Sequence, residues 1–498
     1  MSVARATTPP VSHADRFFID GAWVQPSSDA TIDVIDSGTE ELYYTIASAA
    51  GSDIDHAVTA ARRAFDDGDW PRLTHAERAA AIRELAAGLA TRSETLGQLW
   101  PRESGALYKA SQFASRIGSR ALESYAALAD TFPFEEECSP TSGGAFGLLV
   151  REPVGVVGAI IPWNAPVALI SHKIGPALLA GCTVVLKSAP EAPGEGYVFA
   201  EVAEQVGLPP GVLNVVTADR DVSEQLVRHA DVDKITFTGS TAAGRRIASL
   251  CGERIARCTL ELGGKSAAVI LDDMDLETAA TTLARAECAL SGQVCSSLTR
   301  VVVTKRRHDK LVDALAGTFS KVRVGDPFDD DSQMGPLVAE RQRDRVEAYI
   351  RRGVDDGAQL VTGGGRPPGL DRGWYVEPTV FGNVDNASTI AREEIFGPVL
   401  AVIPARDEQD AVRIANDSIY GLNASVFTND VERAREVAAR LRTGTVGHNA
   451  FRTDFGMAFG GFKQSGIGRE GGREGLLPFL ETKSVILEDR PARYATGG

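Results

Sequence analysis

Lys234-Ile235-Thr236-Phe237-Thr238-Gly239-Ser240-Thr241-Ala242-Ala243-Gly244 joins a short β-branched run to a Gly-Ser-Thr turn and then to the start of a helical stretch. Strand, glycine-bearing turn and helix in that order make the unit from which parallel sheets are wound. The same texture recurs upstream. Val154–Ile161, Thr183–Leu186 and Val212–Val216 read as buried strands, with helical stretches at about 167–180, 194–206 and 221–229 between them. Right-handed crossovers then predict an α/β protein with a Rossmann-like parallel sheet. A second alternating series follows, Ala267–Leu271, a helix over 276–290, Val301–Thr304 and a helix over 309–319, and predicts a second α/β domain. Residues 52–130 read as mostly helical. Asp53 is expected to cap a run with Ile54, Val58, Ala61 and Phe65 on one face, and Thr74 to open another holding Leu85, Leu89 and Leu96. Asp130–Val150, with Glu135–Glu137, Pro140 and Gly143–Gly144, is too poor in apolar residues for a core and reads as a protruding hairpin or arm.

At 498 residues the chain exceeds one ordinary core, so two or three domains are expected. A net charge of −15 argues against nucleic acid as a partner, because phosphate binding needs a basic footprint. The six cysteines, Cys138, Cys182, Cys251, Cys258, Cys288 and Cys295, include no C-x-x-C pair, which predicts no disulfide scaffold and no metal site. Met1–Asp15 has no apolar h-region, so a secretory signal is not expected, and Thr7-Thr8-Pro9-Pro10 reads as a loose tail. No apolar run approaches the roughly 18 residues that span a bilayer. These features together predict a cytoplasmic protein with no membrane partner.

Two further stretches carry chemistry. Glu261-Leu262-Gly263-Gly264-Lys265 puts a carboxylate at the end of an apolar run, and Gly292-Gln293-Val294-Cys295 presents a lone cysteine after a helix-like segment. A thiol can attack a carbonyl covalently, and a carboxylate can activate the water that hydrolyses the resulting thioester. Each alone has a plainer reading, a buried cysteine as a small hydrophobe and a glutamate as a solvated strand end. The turn at Gly239–Gly244 has two readings: backbone N–H groups facing phosphate at a helix N-terminus, or a structural N-cap at Ser240. Its spacing suggests a P-loop, but Arg245-Arg246 stand where Lys-[Ser/Thr] is required, which excludes that motif.

The ordered set of motifs resembles the aldehyde dehydrogenase superfamily from about Phe17 to Glu488. Pro162-Trp163-Asn164-Ala165-Pro166, the 237–241 turn, the 261–265 and 292–295 stretches, Gly325-Asp326-Pro327, Glu393-Glu394-Ile395-Phe396-Gly397-Pro398 and Gly461-Phe462-Lys463-Gln464-Ser465-Gly466 occur in the family's order. The resemblance implies NAD(P)-dependent oxidation of an aldehyde to its carboxylic acid, of the hydrolytic type, through a thiohemiacetal and a thioester on Cys295. It implies Asn164 as the oxyanion donor, Glu261 as the general base, and Lys173 and Glu470 as a proton relay. For the cofactor it implies Ile161, Trp163, Lys187, Gly239, Ser240, Glu394 and Phe396. For the substrate tunnel it implies Ala165, Leu169, His172, Val294, Ser296 and Phe459. It further implies an NAD(P)-binding domain over 1–130 and 150–260 and a catalytic domain over 261–470. An oligomerisation arm over 131–149 and 471–498 would exchange within a homodimer or homotetramer. The site is expected either to lower the Cys295 pKa or to remove its proton during turnover.

Two departures matter. Many NAD-preferring members carry a glutamate three residues after the lysine matching Lys187; here Pro190 stands there and Glu191 lies one position late. NAD is therefore expected over NADP by a reduced margin, and Arg220 could sit near the adenine end. Ala165 and His172 replace larger aromatics, which predicts room for a medium-sized, mostly apolar aldehyde. The alternatives are a CoA-acylating semialdehyde dehydrogenase, which usually lacks the base Glu261 supplies, a cysteine-dependent esterase, which needs a histidine beside the cysteine, and a non-catalytic relative.

Overall fold

Five parallel strands form the middle of the first sheet, in the spatial order Arg257–Glu261, Lys234–Thr238, Val156–Ile160, Thr183–Ser188, Leu213–Thr217. In chain order these are the fifth, fourth, first, second and third, so the winding reverses between Val156–Ile160 and Lys234–Thr238. Ligands of such sheets bind beyond the carboxyl ends of the strands at the reversal. Four of the five are buried along their whole length, and only Arg257 and Cys258 of the fifth reach solvent. Helices on both faces are the cause, and continuous apolar runs are the result.

The computed structural model describes residues 11–494, so the tail read at Thr7–Pro10 lies outside the described residues. Within them, helices Pro166–Ala180, Gly194–Gln205, Arg220–Arg228 and Thr241–Glu253 link the strands. Two short pieces close the sheet's edges. The hairpin Phe17–Ile19 and Ala22–Val24 places Phe18 opposite Val215, and Gly466–Ile467 lies antiparallel against Leu260 and Glu261. Gly466–Ile467 belongs to the 261–470 span expected in the second domain, yet it hydrogen-bonds to the first sheet.

The second sheet has the order Gln359–Thr362, Thr379–Gly382, Val399–Ala405, Arg300–Thr304, Ala267–Ile270, Asn423–Phe427, Thr445–His448, parallel except at Gln359–Thr362. A third sheet pairs Leu480–Leu487 with Phe146–Pro153 and that strand with Glu135–Cys138. Among the described residues no helix is long and apolar enough to cross a membrane.

The N-terminal helices are Gly51–Asp66, His75–Ala90, Ser93–Ser104 and Ala114–Ala126. Thr74 caps its helix: its hydroxyl accepts from the Glu77 N–H at 3.2 Å and the Glu77 carboxylate accepts from the Thr74 N–H at 2.7 Å. The cap expected at Asp53 falls on Ala50 instead. Asp53 is the helix's third residue, and its carboxylate accepts from the Ala50 N–H at 2.8 Å and the Ser27 N–H at 2.9 Å. An acidic side chain there satisfies a free donor of the first turn from inside the helix.

A buried carboxyl pair ties these helices to the first sheet. Glu103 ends the helix Ser93–Ser104 and Glu195 begins the helix Gly194–Gln205, and neither is exposed. Tyr44 Oη donates to Glu103 Oε1 at 2.5 Å and the Gly194 N–H donates to Oε2 at 3.3 Å. Burial lifts both carboxyls above their ordinary 4.5, Glu195 to about 7, and the Glu195 charge raises Glu103 further while Glu103 holds Glu195 down. A folded state that holds a proton the unfolded chain has released is most stable below the unfolded pKa and loses that stability as pH rises. The melting temperature is therefore expected to fall between about pH 5 and pH 8. Glu195→Gln, which removes one of the two buried acids, should flatten that slope and raise the melting temperature at pH 8, as followed by calorimetry.

Candidate active site

The strand Val156–Ile160 runs into Ile161-Pro162-Trp163-Asn164-Ala165, and the helix Pro166–Ala180 begins on a proline at its first position. The helix Ser93–Ser104 clamps this turn from outside: Ser104 Oγ donates to the Trp163 carbonyl at 2.7 Å, and Trp100 Nε1 to the Asn164 carbonyl at 3.0 Å. Asn164 is nearly buried, and its Nδ2 donates to the Gln293 carbonyl at 3.0 Å. A primary amide has two such hydrogens, so one is left for another acceptor.

Cys295 sits on a loop rather than at a helix end. The helix Leu276–Cys288 stops seven residues before it, and Leu290, Ser291 and Gly292 take positive φ of 48°, 57° and 72°. Glycine is required at 292 on a second count, since a Cβ there would lie 2.3–2.5 Å from the Gly397–Pro398 backbone. Gln293 locks the loop: its Oε1 accepts from the Val338 N–H at 2.9 Å and its Nε2 donates to the Leu290 carbonyl at 3.1 Å. A Cβ on Gly264 would meet the Cys295 carbonyl at 2.4 Å, so the 261–265 stretch and the cysteine loop touch backbone to side.

Glu261 ends the strand Arg257–Glu261 and is 2% exposed. Neither of its carboxylate oxygens has a hydrogen-bond partner among the described residues. Burial, and then the charge of Glu470, hold its carboxyl well above the usual range, while Lys173 and Arg469 pull it down. Lys173 and Glu470 form a buried hydrogen-bonded ion pair. Glu470 is held in turn by two backbone bonds to Phe459, at 2.6 and 2.7 Å. Burial, then Glu394 and Glu261, push the Cys295 thiol up to about 12, against the N–H groups of Ser296 and Cys295. Burial and the neighbouring carboxyls thus raise the resting thiol's pKa, and its proton remains to be removed during turnover.

Glu394 reaches the same cleft. Its Oε1 accepts from the Gly264 N–H at 3.2 Å, and burial lifts it to about 7. A Cβ on Gly263 would fall 2.1 Å from its Oε2. Phe396, at φ 63°, sets its ring edge-on to Trp163 at 5.3 Å, and its carbonyl accepts from Gln342 Nε2 at 2.8 Å. Ser240 caps the helix Thr241–Glu253, its Oγ accepting from the Ala243 N–H at 3.3 Å, and the Gly239 N–H donates to the Glu261 carbonyl at 3.0 Å. Lys187 is buried near the end of its strand, and its carbonyl accepts from the Ile161 N–H at 3.0 Å. Burial lowers its amine to about 8, with Glu191 and Asp219 opposing. Ser188 Oγ and Thr238 Oγ1 are buried at strand carboxyl ends without a partner among the described residues. A helix N-terminus, a lysine and a carboxylate at the carboxyl ends of these strands fit a dinucleotide.

On the other side, His172 stacks on Phe455 at 4.2 Å and Phe455 on Phe459 at 4.3 Å, with interplanar angles of 20° and 23°. Burial, then Lys173, push the His172 imidazole down to about 3, so it is a neutral wall and not a base. Ala165 and Leu169 lie on the same helix start, and Val294 and Ser296 flank Cys295. Phe455 is not marked by the sequence; it lies half-buried in an irregular loop where no periodicity singles out a packed ring. Among the described residues no three His, Cys, Asp or Glu side chains gather to hold a metal ion.

The sequence pattern of the aldehyde dehydrogenase family matches residues 23–485, and the chain belongs to that family. It is 45% identical over 471 residues to the geranial dehydrogenase of Castellaniella defragrans, covering 94% of this chain and 98% of that one. An aldehyde dehydrogenase of Mycobacterium tuberculosis solved with NAD+ is 44% identical and superposes with a TM-score of 0.93 over 98% of this chain and all (100%) of that one. A mutant aldehyde dehydrogenase C of Pseudomonas syringae, solved with NAD+ and octanal, is 38% identical, with a TM-score of 0.93 and coverage of 98% and 100%.

The closeness of glycine to carboxylate gives a test. A Cβ on Gly460, at φ 153°, would lie 2.7 Å from Glu261 Oε1. Gly460→Ala is expected to fold, as judged by circular dichroism, and to lose at least roughly tenfold in kcat, because a misplacement of about 1 Å is that costly to an aligned group.

Proposed function

We propose that the protein oxidises an aldehyde to its carboxylic acid with NAD+, through a covalent adduct on Cys295. The observation that supports this best is Glu261, a buried carboxylate with no donor on either oxygen among the described residues, beside a thiol that is protonated at rest. Attack by the Cys295 sulfur on the carbonyl carbon needs that proton removed, and a carboxyl raised by burial is a stronger base than an ordinary one. Asn164 Nδ2 and the Cys295 N–H would donate to the developing oxyanion, each such donor contributing about 3 kcal/mol. When bound along Lys187, Gly239, Ser240, Glu394 and Phe396, beside Ile161 and Trp163, NAD+ supplies the two-electron acceptor and a positive charge next to these acids. Glu261 then activates the water that hydrolyses the thioester. Glu470 and Lys173 carry its proton outward.

Ala165, Leu169, His172, Val294, Ser296 and Phe459, with Phe455, line an uncharged tunnel in this reading, which suits a medium-sized, mostly apolar aldehyde. The geranial and octanal of the two relatives are of that kind. The unit is a cytoplasmic homodimer or homotetramer: the three-stranded sheet of Glu135–Cys138, Phe146–Pro153 and Leu480–Leu487 has Ile486 55% exposed and unpaired strand edges that a second subunit would cover. Cofactor binding is assigned to 1–130 and 150–260, catalysis to 261–470, and assembly to 131–149 and 471–498.

Cys295→Ala should abolish NADH formation while NAD+ still binds. Glu261→Gln should release up to one NADH per site and stall with an acyl group on Cys295, detected by mass spectrometry. If Glu261 also takes the thiol proton, that burst should slow at neutral pH and recover as the pH rises. Steady wild-type turnover in Glu261→Gln, ester hydrolysis with no NADH formed from any aldehyde, or a requirement for CoA would overturn the reading. Sedimentation should give a dimer or tetramer at micromolar concentration; a stable, active monomer would remove the arm's role.

A further inference from the structure

The second strand of the reversed winding, Thr183–Ser188, ends at the corner where folds of this type read the cofactor's adenosine ribose. There an acidic side chain takes the ribose hydroxyl, or an arginine takes a 2′-phosphate. Pro190 supplies neither. Glu191, the next residue, is drawn away: it pairs with Arg341, the second residue of the helix Glu340–Asp355. That helix packs through Val346 and Ile350 into the core of the second sheet, so the ion pair spans the cleft. The helix is fixed along the cofactor's length as well. Gln342 Nε2 donates to the Phe396 carbonyl at 2.8 Å, and Arg345 Nη2 to the Glu394 carbonyl at 2.8 Å. Glu191 and Asp219 both lie in the field of the buried Lys187 ammonium. Glu191 thus interacts with two cations, Lys187 and Arg341, at the ribose corner.

Resting on the dinucleotide reading above, we propose that Arg341 is a specificity-determining residue. It accepts the 2′-phosphate of NADP+ in place of Glu191, and so gives the cleft dual use of NAD+ and NADP+. The side chains of Arg341 and Glu191 are 60% and 22% exposed, and an exposed pair is loosely held. A phosphate offers the guanidinium a bidentate acceptor of higher charge than a carboxylate, and the displaced Glu191 can turn to solvent. With NAD+ no phosphate is present, and Glu191 stays where it is.

Dissociation constants for NAD+ and NADP+, from tryptophan fluorescence quenching or calorimetry without aldehyde, test this. Arg341→Ser should weaken NADP+ by roughly tenfold or more, as for a lost charged hydrogen bond. NAD+ should stay within about twofold, since the same principle assigns it no bond there. Glu191→Gln, which frees the guanidinium, should tighten NADP+, and raised salt should weaken NADP+ more than NAD+. Equal losses of both cofactors in Arg341→Ser, no loss of NADP+, or a loss in Arg220→Ser instead would overturn the inference and leave the NAD+ reading standing. Failure of the wild type to bind either nucleotide would overturn both.

Discussion

Glu261 and Glu470 are buried and Glu394 is half-buried near one thiol, and among the described residues the ammonium hydrogen-bonded to one of them is Lys173. Ionised groups removed from water without matching partners are costly, so such a cluster keeps protons that the same groups would lose in solvent. That imbalance lifts Glu394 to about 7 and the Cys295 thiol to about 12. It also explains why Lys173 and Glu470 must pair closely: without the ammonium, Glu261 would face a second carboxylate with no compensation. The resting cleft is a store of acid groups, and a positive ligand is what would release their protons.

Around that cluster the backbone does work that side chains have no room for. Gly263, Gly264 and Gly460 each bring main chain to within reach of Glu394, the Cys295 carbonyl or Glu261. Hydrogen bonds then join the elements in series. Gly239 holds the Glu261 carbonyl, Asn164 holds the Gln293 carbonyl, and Gln293 reaches the Val338 N–H. Cys295, Glu261 and Asn164 are carried by segments of two sheets, and this chain of contacts, rather than any one loop, sets their spacing.

What was legible in the sequence follows from burial. Strands covered on both faces show as unbroken apolar runs, which is why Val156–Ile160, Thr183–Ser188, Leu213–Thr217 and Lys234–Thr238 could be placed within two residues at each end. Phe17–Ile19 and Gly466–Ile467 escaped because three and two residues carry no periodicity; only long-range pairing makes them strands. Cys295, Glu261 and Asn164 were legible as members of an ordered motif set. Phe455, Glu103, Glu195 and Arg341 were not, because each gains its meaning from a partner distant in sequence: His172, Tyr44, Glu103 and Glu191. The thiol's raised pKa was hidden for the same reason, since it comes from burial in the folded chain and then from carboxyls at residues 394 and 261.

Gly466–Ile467 lies beside Leu260 and Glu261, so the strand that carries Glu261 is completed by residues some two hundred positions later in the chain. Glu470, three residues further on, brings the carboxylate that binds Lys173. Contacts of such sequence separation form late, since a long loop must close before they repay its entropy. During synthesis the first sheet can wind its parallel strands as they emerge, while its outermost edge stays open until the second sheet has been made. Activity in this protein is therefore a property of the finished chain. A truncated product ending before residue 466 would keep Cys295 and Glu261 in sequence, and would lack the edge that pairs with Glu261 and the carboxylate that neutralises the buried ammonium.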